Sequence, residues 1–427
     1  MKTKLKILTT ILFFLICATT ASNAEIRLTI SKKFGEKTKI AFLPLKGNKT
    51  ISRKITKTVK KYLEFSGFFT FPDKKLENEQ YNEDIKTGKI NFLEWQRIGV
   101  EILIKGGITT TYKTTTVKIE VFSTYDKKRI FGKAYKTNKN ALDYLICKIA
   151  GEITEKLTGS PNIFTKKILF TTTKYGRKTI AITNISGKNP KRIFIEKFAS
   201  TSPKWIYGEK KFVYVSYRNM SPHIFMLNLS NKLNTILVKF PGLNANPDIS
   251  KDGKYLAFTA SKDGNPEIYI KDLSTGRYYR ITRHRAVDGD PAISPDGKKV
   301  AFVSNRYGTP QIFIASIYSR RLKRITWNSS YNSSPSWSPK GDMIAYTKKT
   351  RKGFDIYVYN IEEDESYPIV ENYGDDDNPD WAIDNRHLVF QSDRTGKNEI
   401  YAVDIYSGKQ IRITRNFGNC ESPSWEK

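Results

Sequence analysis

Few residues of this 427-residue chain are of the types that make or break covalent bonds. Histidine occurs only at His223, His284 and His387, and cysteine only at Cys17, Cys147 and Cys420. No His-x-x-x-His, Cys-x-x-Cys or Gly-x-Ser-x-Gly pattern occurs. Those spacings would place two metal ligands on one helix face, pair two thiols, or hold a serine on a strained elbow. The remaining candidates are carboxylates. Asp288, Asp290 and the run Asp375-Asp376-Asp377 have the oxygen chemistry that holds Ca²⁺. Asp, Asn and Gly at such places also serve as ordinary turn residues. No catalytic residue, metal or cofactor is assigned, and recognition is the chemistry expected.

The elements that would carry such loops are set by a repeat. A phrase beginning with proline returns every 44 residues, at Pro203, Pro247, Pro291, Pro335, Pro379 and Pro423, and four of the six read Pro-x-Trp. Apolar runs such as Leu256-Ala257-Phe258-Thr259 and Glu267-Ile268-Tyr269-Ile270 recur at the same spacing. β-Branched and aromatic runs of this length suit a pleated, half-buried surface. Turns such as Lys251-Asp252-Gly253 and Ser274-Thr275-Gly276 separate them. A period in the forties with four strands per repeat is the mark of a β-propeller. The strands expected from Ile168, Thr179 and Arg192 lack a preceding Pro-x-Trp phrase, and Pro423-Ser424-Trp425 has no strands after it. The two partial sets complete one blade, so the tail is expected to close a six-bladed ring. An open solenoid is the alternative architecture. Within each period an inner strand is expected to start at Leu256 and its equivalents, with the segment after the proline as a fourth strand.

The chain starts as a signal peptide. Lys2, Lys4 and Lys6 precede the apolar stretch Ile7–Ile16, and Ser22-Asn23-Ala24 offers a cleavage site. The expected organisation is a signal peptide over 1–24, an N-terminal domain over 25–160 and a propeller over 161–427. The fold class is thus an α+β (mixed α/β) domain followed by an all-β six-bladed propeller. In the first domain, Ile51, Ile55, Val59 and Leu63 mark one helix. Leu142, Leu145, Ile146, Ile149, Ile153 and Leu157 mark another, with Asn140 as its cap and Gly159 as its stop. Asn91 and Glu94 mark a short capped helix between them. Cys147 and Cys420 would be free to bridge after export. The formal net charge is +31, from 73 Lys and Arg against 42 Asp and Glu. Such a surface favours anionic partners, yet the lysines are scattered and no nucleic-acid-reading motif is present.

Gly99-Val100-Glu101-Ile102-Leu103-Ile104-Lys105-Gly106, the helix Ile149–Gly159 and the blade phrase Ser333-Ser334-Pro335-Ser336-Trp337-Ser338-Pro339-Lys340-Gly341, in this order after a signal, resemble the TolB family. TolB-like proteins are periplasmic components of Tol–Pal envelope systems. The resemblance implies a non-catalytic, monomeric periplasmic scaffold that supports outer-membrane integrity and invagination at division. It also implies two partner surfaces. Glu25-Ile26-Arg27-Leu28-Thr29-Ile30 would be offered to TolA, and its alternation suits addition to a sheet edge. It would equally suit the first strand of the domain. The peptidoglycan-associated lipoprotein Pal would dock on the loops before the prolines. The residues expected there are Leu243, Asn244, Asn246, Asp288, Gly289, Asp290, Asn332, Asp376, Asn378 and Glu421. Other outer-membrane proteins are further expected partners; nucleic acid and direct membrane insertion are not. The alternative function is a periplasmic propeller that binds or hydrolyses an anionic glycan in its central channel, which would need paired carboxylates there.

Overall fold

The computed structural model describes residues 36–427 apart from 88, 175, 194–196, 320 and 328. The expected signal segment and the leading strand Glu25–Ile30 lie outside the described residues. The N-terminal part runs β1 (Thr38–Phe42), α1 (Lys49–Phe65), β2 (Phe69–Thr70), α2 (Lys74–Thr87), α3 (Phe92–Arg97), β3 (Ile102–Thr110), β4 (Thr114–Ser123), β5 (Lys128–Asn138) and α4 (Leu142–Thr158). Its sheet has the order β2-β1-β3-β4-β5, with β1 parallel to both neighbours and the rest antiparallel. Successive side chains of a strand point to opposite faces. Ile40 and Phe42 therefore pack against α1 and α4, while Ala41 and Leu43 pack against Trp95 of α3.

Helix ends depart from the expectation at two places. A 3₁₀ turn over Lys139–Ala141 precedes α4, and the cap position falls on Ala141, with no side-chain bond. Asn140 is thus inside the turn and does not cap. Asn91 occupies the cap of α3 without a side-chain bond; its carbonyl accepts from Trp95 N instead. Gly159 does end α4, in the left-handed conformation at φ +72° that glycine adopts without strain.

Six four-stranded antiparallel sheets follow. Each innermost strand contains the recurring proline: Ser200–Trp205, Asn244–Ile249, Asp288–Ile293, Asn332–Trp337, Asp376–Trp381 and Asn419–Trp425. The inner strand expected at Leu256 and its equivalents is the second from the channel, paired on both sides. Physically, proline lacks the N–H for a two-sided ladder and belongs on an edge strand. The edge here faces the channel. Ring closure is as expected. The C-terminal strand Asn419–Trp425 pairs antiparallel with Lys167–Lys174, with Trp425 opposite Ile168 and Ser424 opposite Leu169.

Apolar clusters glue each blade to the next. Val213 and Val215 meet Leu256 and Phe258, and Ile344 and Tyr346 meet Ala301 and Ile312. At the seam between last and first blades, Ile400, Ile411, Phe170 and Trp425 join one core with Ile153, Leu157 and Phe164. The N-terminal domain thus sits where the ring is closed. Gly67, at φ +78°, lies against Arg386 and Asp404, where an added Cβ would approach Arg386 Nη2 to 2.0 Å. His387 donates from Nδ1 to Asp384 Oδ2 at 2.6 Å and from Nε2 to the Phe65 carbonyl at 2.9 Å. Both partners only accept, so the ring carries two protons and a positive charge. Cys147 and Cys420 are both buried and free, so the bridge considered from sequence is not formed. Among the described residues, no helix is long and apolar enough to cross a membrane.

Candidate functional site

Strand direction divides the ring into two faces. The loop before each innermost strand and the hairpin joining the second and third strands emerge at one face, because neighbouring strands run antiparallel. The N-terminal domain is held at the other face, through Arg386, His387, Asp404 and Lys409. The mouth formed by the pre-proline loops lies at the other end of these strands, with Arg415 of the last loop near enough to α1 to act on the Lys61 ammonium.

Below that mouth, every innermost strand carries a bulge. Its register shifts across the proline in all six blades. The residue before each proline is left-handed: Ser202 φ 51°, Asn246 50°, Asp290 54°, Ser334 52°, Asn378 54° and Ser422 49°. A following proline normally holds its predecessor extended, whereas Asn and Asp tolerate the left-handed region. A bulge re-aims side chains, and here it links neighbouring blades around the channel. Asn246 Nδ2 donates to Asp290 Oδ1 at 2.8 Å, and the Ser334 amide donates to Asp290 Oδ2 at 2.8 Å.

One residue past the proline, a second layer of links appears. Asp248 Oδ2 accepts from the Ile293 amide at 2.8 Å and Asp380 Oδ2 from the Trp425 amide at 2.8 Å, each in the next blade. In return, Trp337 and Trp381 donate their indole N–H to Ala292 O and Ser336 O of the preceding blades. Lys204 lies 3.3 Å and Lys427 3.5 Å from Asp380 Oδ1. Burial pushes the Asp248 and Asp290 carboxyls above the usual carboxylate range. Burial opposes the charge of Asp380 too, but Lys204 and Lys427 outweigh it and hold that carboxyl below its ordinary value. Burial likewise opposes the charge on Lys204, and Asp380 and Asp248 hold its ammonium above its ordinary value. The channel cavity these residues line measures about 100 Å³.

The ten residues expected at the mouth separate into three groups. Asn246, Asp290 and Asn378 converge on the channel and line it. Leu243, Gly289 and Glu421 are half-buried at the rim. The other four are fully buried, which corrects the expectation that their side chains face a partner. Asn244 Nδ2 donates to Phe240 O at 2.7 Å and Pro222 O at 3.0 Å, and Asn332 Nδ2 to Gln311 Oε1 at 2.9 Å. Asp288 pairs with Arg306 at 2.8 Å and Asp376 with Arg394 at 2.7 Å. All four stand three residues before a proline, where the strand turns inward. These pairings also take two of the carboxylates considered for calcium. The mouth also exposes apolar side chains that were not among those ten residues: Phe198, Val287, Trp327, Tyr331 and Tyr373. A signal was present. Trp327 stands where the neighbouring repeats have Arg283 and Glu371.

Comparison with known proteins agrees with this architecture. The family model described as the TolB amino-terminal domain matches residues 26–130, and that of the TolB beta propeller domain matches residues 154–356. The Tol-Pal system protein TolB of Desulfosudis oleivorans is 31% identical over 200 residues, which cover 47% of this chain and 45% of that relative. Its counterpart in Dechloromonas aromatica is 28% identical over 228 residues, covering 52% of each. The chain spans about half the length of the curated relatives it matches. The crystal structure of TolB from Acinetobacter baumannii superposes with a TM-score of 0.76 at 24% identity, covering 91% of this chain and 96% of that one, and shares the fold. Two TolB family models in tandem and the curated relatives lead to one assignment: the chain belongs to the TolB family.

Proposed function

We propose that this protein is a non-catalytic periplasmic scaffold of a Tol–Pal system. In this reading it holds a peptidoglycan-associated lipoprotein on the pre-proline mouth of the ring. It offers Glu25–Ile30 to TolA by strand addition. Coupling of the two would support envelope integrity and invagination at division. The observation that carries the reading is the position of the mouth. It is the face opposite the N-terminal domain, and it exposes aromatic anchors on loops from different blades. Aromatic side chains that remain exposed on a rigid platform are the usual hot spots of protein–protein docking. The channel carboxylates support a scaffold over a glycan hydrolase, because Asp248, Asp290 and Asp380 are engaged in links between blades.

The test is titration calorimetry of the chain against the periplasmic domain of the Pal-like lipoprotein from the same organism. Saturable binding is expected, weakened about tenfold or more by Trp327→Ala combined with Tyr373→Ala. Absence of binding by the unaltered chain would contradict the docking reading.

A further inference from the structure

Charge at the mouth is as uneven as its apolar anchors. Among the described residues, the pre-proline loops present Lys197, Lys239, Arg283, Arg285 and Arg415, all exposed. Against them stand only Glu371 and Asp375, and both are occupied. Glu371 Oε1 accepts from the Tyr357 hydroxyl at 3.0 Å, and Asp375 Oδ1 from the Phe354 amide at 3.1 Å. The five cations come from blades six, one, two and three, which are consecutive around the closed ring, so they form an arc over four of its six loops. Of the apolar anchors, Phe198 and Val287 lie within the basic arc, and Trp327, Tyr331 and Tyr373 occupy the two loops without a cation. The guanidinium of Arg324 stacks over the Trp327 ring at 4.0 Å.

We infer that the partner seated on this mouth is a protein with an acidic face, and that charge attraction steers and selects it. The inference rests on the docking reading above and adds the partner's chemistry to it. Basic side chains spread over separate loops make a field over the whole opening, which raises encounter rates and rejects basic surfaces. Aromatic and arginine side chains between them have the composition of a protein interface core. A single anionic chain would fit an unbroken basic track, whereas Phe198 and Val287 interrupt this arc and Trp327, Tyr331 and Tyr373 fill the sector that closes it.

The experiment is binding of the full exported chain to the periplasmic domain of the Pal-like lipoprotein from the same organism, at about 0.05 M and 0.5 M salt. One variant combines Lys197→Glu, Arg283→Glu and Arg285→Glu. A control with the same change in charge combines Lys232→Glu, Arg277→Glu and Arg321→Glu, all exposed in turns at the opposite face. The expected result is binding that weakens about tenfold or more at high salt, is lost in the mouth variant and is kept within about twofold in the control. Binding that ignores salt and survives the mouth variant would overturn the acidic partner while leaving the docking reading intact. Equal loss in both variants would likewise overturn it, since net charge alone would then be responsible. No binding at either salt would overturn the docking reading and the inference together. Retention on a sulfated polysaccharide that the mouth variant loses, with lipoprotein binding unaffected, would overturn it in favour of an anionic polymer.

Discussion

The innermost strands and the loops that lead into them are only a few residues apart, yet they obey different rules. In the strands, the same position does the same work six times. Residues three before each proline are buried, and residues just before it are left-handed. In the loops, equivalent positions differ. Trp327 corresponds to Arg283 in one neighbour and Glu371 in the other, and all three side chains are exposed. In a repeat protein, recurrence marks the architecture, and departure from the repeat marks what the architecture displays.

The sharpest way to break that contrast is to open the ring. Removing residues 421–427 deletes a strand paired with Lys167–Lys174 and the fully buried Trp425, at the seam shared with the N-terminal domain. The expected loss exceeds the roughly 3–5 kcal/mol for truncating one buried Trp. Urea unfolding would measure it, and an unchanged midpoint would refute closure. Next in size is Asp380→Ala. It strips Lys204, Lys427 and the Trp425 amide of their acceptor. Breaking a buried pair costs about 3–5 kcal/mol, and the low end applies because Lys204 is 28% exposed. Asp380→Asn should recover part of this in the same unfolding assay.

His387 sharpens the contrast at the opposite face. Burial opposes its charge, but Asp384 and Asp404 outweigh burial and hold its pKa above the ordinary 6.5. A raised folded value means the contribution is complete below pH 6.5 and fades as pH rises through the folded value. Stability should therefore fall on the alkaline side, by on the order of 1–3 kcal/mol for the hydrogen bond that becomes unsatisfied. Chain unfolding followed across pH 6 to 9 should show this slope, and His387→Gln should flatten it. An identical profile in the variant would remove His387 from the account. The smallest effects compare strand with loop directly. Asn244→Leu leaves the Phe240 and Pro222 carbonyls without their partner and should cost about 1–3 kcal/mol. Tyr373→Ala, at a side chain 84% exposed, should stay within about 0.5 kcal/mol and weaken lipoprotein binding. Equal stability losses in the two would erase the distinction.

Much of the frame is legible in sequence because it repeats. A spacing of 44 residues, a tail lacking strands and a first blade lacking its proline phrase together specify a closed six-bladed ring. What repeats in spacing does not reveal depth, however. The spacing does not say which strand lines the channel, and the left-handed residue before each proline runs against proline's ordinary preference. The same blindness affected the site. Asn244, Asp288, Asn332 and Asp376 are turn-type residues by composition and buried struts by position. Helix α2 left no apolar stripe to read. It exposes Leu76 and Ile85 and buries Glu77 and Asp84, which bond to Lys60 and to the Trp95 indole at 2.7 Å. Such an element is fixed by tertiary partners instead of its own periodicity.

The central claim is that the loops dock a partner while the recurring strands only hold the ring. Hydrogen exchange of the chain, with and without the lipoprotein's periplasmic domain, tests it most directly. The account predicts new protection confined to residues 197–199, 239–243, 283–287, 327–331, 371–375 and 415–418. Protection on the turns of the opposite face, with the mouth loops unchanged, would contradict it.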